Sequence, residues 1–388
     1  MAVAAKVVRV AAAALTSSWL SIGATRAQAQ FVVPSRPPTA LDRRFDFSTS
    51  PATRPARGIR VPRVTGHLER SQLGLVINTA DPYSVEVGEF YIRARGLTDR
   101  QVLRLALPKR AALTAEEFKG FAEAVDRHFG ASVEALALAW SEPYAVQCNS
   151  ITGALALGYD GALCANPCAA SAPSRYFNDA TLHPYRDLKL RPAMLLAARD
   201  AAGARAMIQR GVAADGELGL RGGAPVNAYF VTTDDPARSV RAPWFPPEGS
   251  TGPLTVHRIH GTSIGPAERV LVYETGLTVV PDLDQVRFVD GALADHLTSF
   301  GGVLDGSGGQ MSALDWIAAG ATASYGTVSE PCSLPQKFPN PQVLLLNYLQ
   351  GATALEAYWK SVAWPQQGVF VGEPLASPFA RREPVPRR

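Results

Sequence analysis

Three apolar runs with two capped helical segments between them, all inside residues 73–140, do most to restrict the folds open to this chain. Leu73–Ala80 (LGLVINTA) reads as a buried strand. Asp81-Pro82-Tyr83-Ser84 turns the chain, and Ser84 can cap a helix running to about Arg95. Val102–Leu107 is a second strand. Thr114-Ala115-Glu116-Glu117 has the form of a capping box and opens a helix to about His128. Val133–Trp140 is a third strand. A β-α-β-α-β order requires crossovers, so it predicts a mostly parallel sheet with helices on both faces: an α/β chain, a three-layer α/β/α sandwich.

The remainder continues in the same manner. Residues 144–192 are rich in Cys, Pro, Ser and Asn and read mainly as loop, with a short helix between Cys148 and Tyr159. Ala201–Val212 is helical. Further strands are expected at Asn227–Thr233, Arg269–Tyr273, Gln285–Val289, Ala321–Val328 and Val369–Val371, with a helix at Gln310–Ala319. Residues 341–362 resemble one long helix, but Gly351 interrupts them and Thr353-Ala354-Leu355-Glu356 is a second capping box, so two helices are predicted. Residues 71–380 form one large domain on this reading, or two subdomains, 71–200 and 201–380.

The two ends differ from this body. Lys6 and Arg9 precede an apolar stretch, and Ala27-Gln28-Ala29 fits a small-x-small cleavage site, so residues 1–29 read as a secretory signal. Residues 30–70 hold eight Arg against three acids and no apolar period, a basic and mostly disordered leader. Residues 381–388 form a basic tail. The signal, leader and tail carry three, five and three positive charges, and the chain as a whole is +4, which leaves residues 71–380 near −7. The alkaline pI belongs to the ends, and a nucleic-acid groove in the body is not expected. No later run is long enough to span a membrane. Localisation is therefore predicted to be periplasmic or extracellular. Export makes disulfides among Cys148, Cys164, Cys168 and Cys332 plausible, within Cys148–Cys168 above all.

Polar residues gather just after the strand-like runs, where an open α/β sheet places its ligands. Asp295-His296 is the first candidate: an imidazole at a strand end can act as general base, with Thr298 and Ser299 as nearby hydroxyls. The alternative is a histidine that holds a loop backbone. Cys332, after Glu330, could pair with His296 as a thiolate or lie in a disulfide. His257-Arg258-Ile259-His260-Gly261 has the alternation of a surface strand. Asp234, Asp235, Arg238 and Arg241 form a charged group after a strand. They could clamp a carboxylate or phosphate, or tie a loop together. Asp81 and Glu330 complete the candidate binding residues. Asp81, Asp215 and Asp295 could share a hard cation, and Cys164, Cys168 and His183 a zinc ion. Nothing in either spacing demands a metal, and no cofactor motif is present.

Several segments carry a resemblance: LVINTADPYSVEVGEFY (75–91), RGVAADG (210–216), TTDDPARSVR (232–241), GALADHLTSFGG (291–302), GATASYGTVSEPC (320–332), QKFPNP (336–341) and EAYWKSVAWP (356–365). Together they resemble a family of exported bacterial proteins associated with exosortase-type sorting and extracellular polysaccharide systems. That resemblance implies an envelope setting and brings no reaction with it. The order of strands and glycine turns toward the C-terminus is more distantly similar to gingipain-like cysteine peptidases, which share the caspase-like sandwich. Their chemistry needs His-Gly after one strand and Cys after the next. Here the corresponding strand ends in Glu274-Thr275-Gly276, and Val286–His296 has no Cys. Two functions follow as expectations: a hydrolase-like envelope protein with a His296-centred site, or a non-catalytic protein binding a peptide or polysaccharide of the cell envelope.

Overall fold

The computed structural model describes residues 59–219 and 223–381, which fall within one compact unit. The signal segment, the leader up to residue 58 and most of the basic tail lie outside the described residues. The architecture is α/β, a mostly parallel eleven-stranded sheet between two layers of helices. In chain order its strands and helices are β1 (Leu73–Asn78), α1 (Pro82–Arg95), β2 (Val102–Leu105), β3 (Ala112–Leu113), α2 (Ala115–His128), β4 (Ala135–Leu138), β5 (Ala145–Val146), β6 (Asn149–Ser150) and α3 (Ile151–Leu157). They continue with α4 (Ala162–Ala165), α5 (Pro184–Leu188), β7 (Ala193–Leu195), α6 (Ala201–Ala214), β8 (Val226–Thr232), β9 (Gly249–Thr251), β10 (Leu254–His260) and β11 (Ala267–Thr275). The last are β12 (Val286–His296), α7 (Ala313–Ala319), β13 (Ala323–Thr327), α8 (Pro341–Leu349), α9 (Ala354–Ser361) and β14 (Gly368–Gly372). Strands β3, β5 and β6 form a small separate sheet.

Local chemistry accounts for the helix starts. Both capping boxes close as expected, Thr114 with Glu117 and Thr353 with Glu356. Gly351, at φ 98°, separates α8 from α9. At α1 the cap is Asp81, whose side chain accepts from the Tyr83 amide, with Pro82 at the first helical position. Ser84 is not the cap: its hydroxyl accepts the Asn78 amide at 2.7 Å. It ties the end of β1 to the helix.

The sheet runs β2-β1-β4-β7-β14-β13-β12-β11-β8-β10-β9. Strands β2, β1, β4, β7 and β14 are mutually parallel, and so are β13, β12, β11, β8 and β10. The two blocks meet at β13 and β14, which are antiparallel, so they run in opposite senses. One face carries α1, α6 and α7; the other carries α2, α3, α8 and α9. Trp140, Trp316 and Trp359 are fully buried in these layers. An Arg95–Glu373 ion pair with Tyr91, reinforced by Asp215, fastens α1 to the chain after β14.

Two disulfides join Cys148 to Cys164 and Cys168 to Cys332. The first is the local bridge expected. The second is not: it crosses 164 residues, from the Cys-rich loop to the segment after β13. Among the described residues no helix is long and apolar enough to cross a membrane.

Candidate functional site

The ends of β11 and β12 lie side by side, with Glu274 opposite Asp295 and Thr275 opposite His296. Successive strand residues point to opposite faces, so this register makes two separate groups. Asp295 and His296 therefore cannot cooperate, which corrects the first candidate pair.

On one face Glu274 and Asp295 meet Arg241, which comes from the irregular chain after β8. All three are at most 1 % exposed. The guanidinium donates to Asp295 Oδ1 at 2.7 Å and to the Thr275 carbonyl at 2.9 Å. It lies 3.1 Å from Glu274 Oε2 without the alignment of a hydrogen bond. Tyr358 of α9 approaches Asp295 Oδ2 at 3.5 Å. Burial raises both carboxyl pKa values, against the pull of Arg241. Burial also opposes the Arg241 charge, but Asp295 and Glu274 outweigh it and raise its pKa. Asp295 has the better donors, so Asp295 and Arg241 form the ion pair, and burial favours the protonated form of Glu274. Arg241 is thus a buried strut. This corrects its assignment, with Arg238, to a surface anion clamp.

On the other face His296 is sealed. Its Nδ1 accepts from Trp316 Nε1 at 2.9 Å, and its Nε2 faces the Met311 carbonyl at 3.0 Å. Those partners assign the neutral tautomer with the proton on Nε2. Burial lowers its pKa from 6.5 to about 4. The lone pair that a general base needs is already occupied. The alternative reading, a histidine that holds a loop backbone, describes what is found.

The Thr298 hydroxyl has another partner. Thr298 Oγ1 donates to Gln310 Oε1 at 2.7 Å. The carbonyls of Thr298 and Ser299 accept from Thr327 Oγ1 at 3.1 and 2.9 Å. These bonds press the 298–302 turn onto β13, and a Cβ on Gly302 would sit 2.5 Å from the Gly326 carbonyl oxygen. Close backbone approach thus explains glycine in both signature segments. Cys332 is bridged, so the Cys332–His296 dyad is also corrected: no described cysteine is free. Glu330 turns inward on its own loop, accepting the Cys332 amide at 2.7 Å.

Lys337, which the sequence did not single out, closes this loop over the strand ends. It is fully buried, Nζ donates to the Pro167 carbonyl at 2.5 Å, and burial lowers its pKa to about 8. The exposed candidates lie farther out. Asp235 pairs with Arg238 at 2.5 Å, and Asp234, almost fully exposed, lies 3.4 Å from His260. His260 sits at the end of β10, the strand expected from the HRIHG alternation. Asp81, by contrast, is buried, and lies 3.1 Å from Lys109. Asp215 belongs to the Arg95 group. Cys164 and Cys168 are in different disulfides, so neither cation set assembles. Among the described residues no three His, Cys, Asp or Glu side chains are grouped to hold a metal.

No family model, curated protein or solved structure matches this chain.

Proposed function

We propose that this is an exported, disulfide-bonded envelope protein that binds a peptide or polysaccharide on an α/β sandwich without turning it over. One observation carries the reading: the imidazole at the strand end accepts the Trp316 N–H at 2.9 Å, so its lone pair is spent inside the fold. The bridged Cys332 and the Asp295–Arg241 pair support it, since both of these groups are also held by a neighbour. The small-x-small site at Ala27-Gln28-Ala29, the two disulfides and the resemblance to an exosortase-associated family support export and an envelope setting. A hydrolase-like activity has less behind it, because Trp316 and the Met311 carbonyl already take both ring nitrogens of His296.

The test is to express the chain with its own leader in a periplasm. The purified product is treated with thiol- and serine-directed activity probes, and its intact mass is read. The expected product is unlabelled, begins at Gln30 and has lost four hydrogens to two disulfides. Stoichiometric labelling at Ser299 or Cys332 would overturn the non-catalytic reading.

A further inference from the structure

From Ile59 to Glu69 the chain has neither helix nor strand, yet it is fixed along the outer side of α8 and α9. Its main-chain amides donate to side chains of that pair: Ile59 to Gln342 Oε1 at 3.3 Å, Val64 to Gln350 Oε1 at 3.0 Å and Leu68 to Glu356 Oε2 at 3.0 Å. Asn178 Nδ2 donates to the Arg60 carbonyl at 3.0 Å. The expectation of disorder is therefore overturned for Ile59–Arg70. Gly66 shapes the strap: its φ is 103°, and a Cβ there would sit 2.9 Å from Leu182 Cδ1.

The surface beneath the strap is not an ordinary helix face. Glu356 is 1 % exposed and one of its oxygens has no partner. Lys360, one turn on, is equally buried, with Nζ donating to the Thr181 carbonyl at 3.1 Å. The strap covers both charges, while its own Arg60 and Arg63 point to solvent. Amide and carboxylate side chains spaced along a groove, reading main-chain N–H groups, are what holds an extended peptide.

We propose that this groove is a peptide-binding surface. It is filled in cis by Ile59–Leu68 and, when the strap lifts, takes in trans an extended peptide of the same apolar pattern. This rests on the reading of the chain as a binding protein and names its surface and ligand class.

The test uses the full mature chain and a fluorescent synthetic peptide of residues 59–70. Val64→Pro removes one strap donor without touching the groove, and Gly66→Val forces the strap off Leu182. Both variants are expected to bind the peptide at least tenfold more tightly than the wild type, whose groove is occupied. Adding Gln350→Ala and Glu356→Gln should abolish that gain. If Gly66→Val fails to fold, Val64→Pro makes the same comparison. Variants with wild-type circular dichroism, fast-exchanging strap amides and no peptide binding would overturn the proposal. Peptide binding together with probe labelling would sink the non-catalytic reading and leave this one. Silent probes without peptide binding would do the reverse.

Discussion

Replacing Arg241 by Met removes one charge from a site where both carboxyl neighbours are buried. Asp295, 1 % exposed, would lose its 2.7 Å donor, and burial already favours the protonated form of Glu274. The variant can then fold only by taking a proton onto Asp295. An unfolded Asp titrates near 3.9, and each pH unit above that value costs about 1.4 kcal/mol, so the penalty at pH 7 is about 4 kcal/mol. That agrees with the roughly 3–5 kcal/mol lost when one member of a buried pair is removed. The sign is diagnostic. A carboxyl whose folded pKa is raised contributes stability that is full below its unfolded pKa and lost as pH rises. Arg241→Met should therefore lose about 2–3 kcal/mol more than wild type between pH 5 and pH 7, and adding Asp295→Asn should flatten that difference. Urea unfolding followed by tryptophan fluorescence at several pH values measures it. A cost under about 1 kcal/mol, or a pH slope equal to wild type, would refute the buried-strut reasoning.

His296 should give the opposite sign. Its folded pKa is lowered to about 4, so its contribution is present above 6.5 and lost as pH falls toward 4. Between pH 7.5 and 5 this one group should remove about 2 kcal/mol, and His296→Gln should abolish that part of the slope in denaturation curves. Replacing Cys168 and Cys332 together should cost about 3–5 kcal/mol, more than replacing Cys148 and Cys164, because the bridge closes the longer loop; non-reducing denaturation compares the two.

The local parts of this fold were legible because their chemistry is local. Thr114 with Glu117, and Thr353 with Glu356, close turns three residues apart, and Gly351 stops a helix by its own φ. Parallel strands separated by capped helices gave the sheet and its two helical layers. What the sequence hid depends on contacts distant in the chain. The antiparallel seam pairs β13 with β14, and the second disulfide joins positions 164 residues apart. Nothing near Arg241 in sequence announces that it is buried between Glu274 and Asp295.

The site was misread for a related reason. Adjacency of Asp295 and His296 looked like partnership, but the pleat separates them, and the histidine's partners come from Met311 and Trp316 beyond the next turn. The period of β12 could have warned of this. The strap at Ile59–Leu68 was hidden for another reason: its composition is that of a disordered segment, and its order comes from side chains nearly 290 residues away.

The claim that the strand ends are closed to catalysis stands on the state of one ring. Long-range nitrogen–proton NMR correlation of His296 in the full mature protein reports that state directly. The account predicts a neutral imidazole protonated on Nε2 from pH 7 down to pH 5, with Nδ1 shifted by the Trp316 hydrogen bond. An imidazole that titrates near 6.5, or that carries its proton on Nδ1, would contradict it.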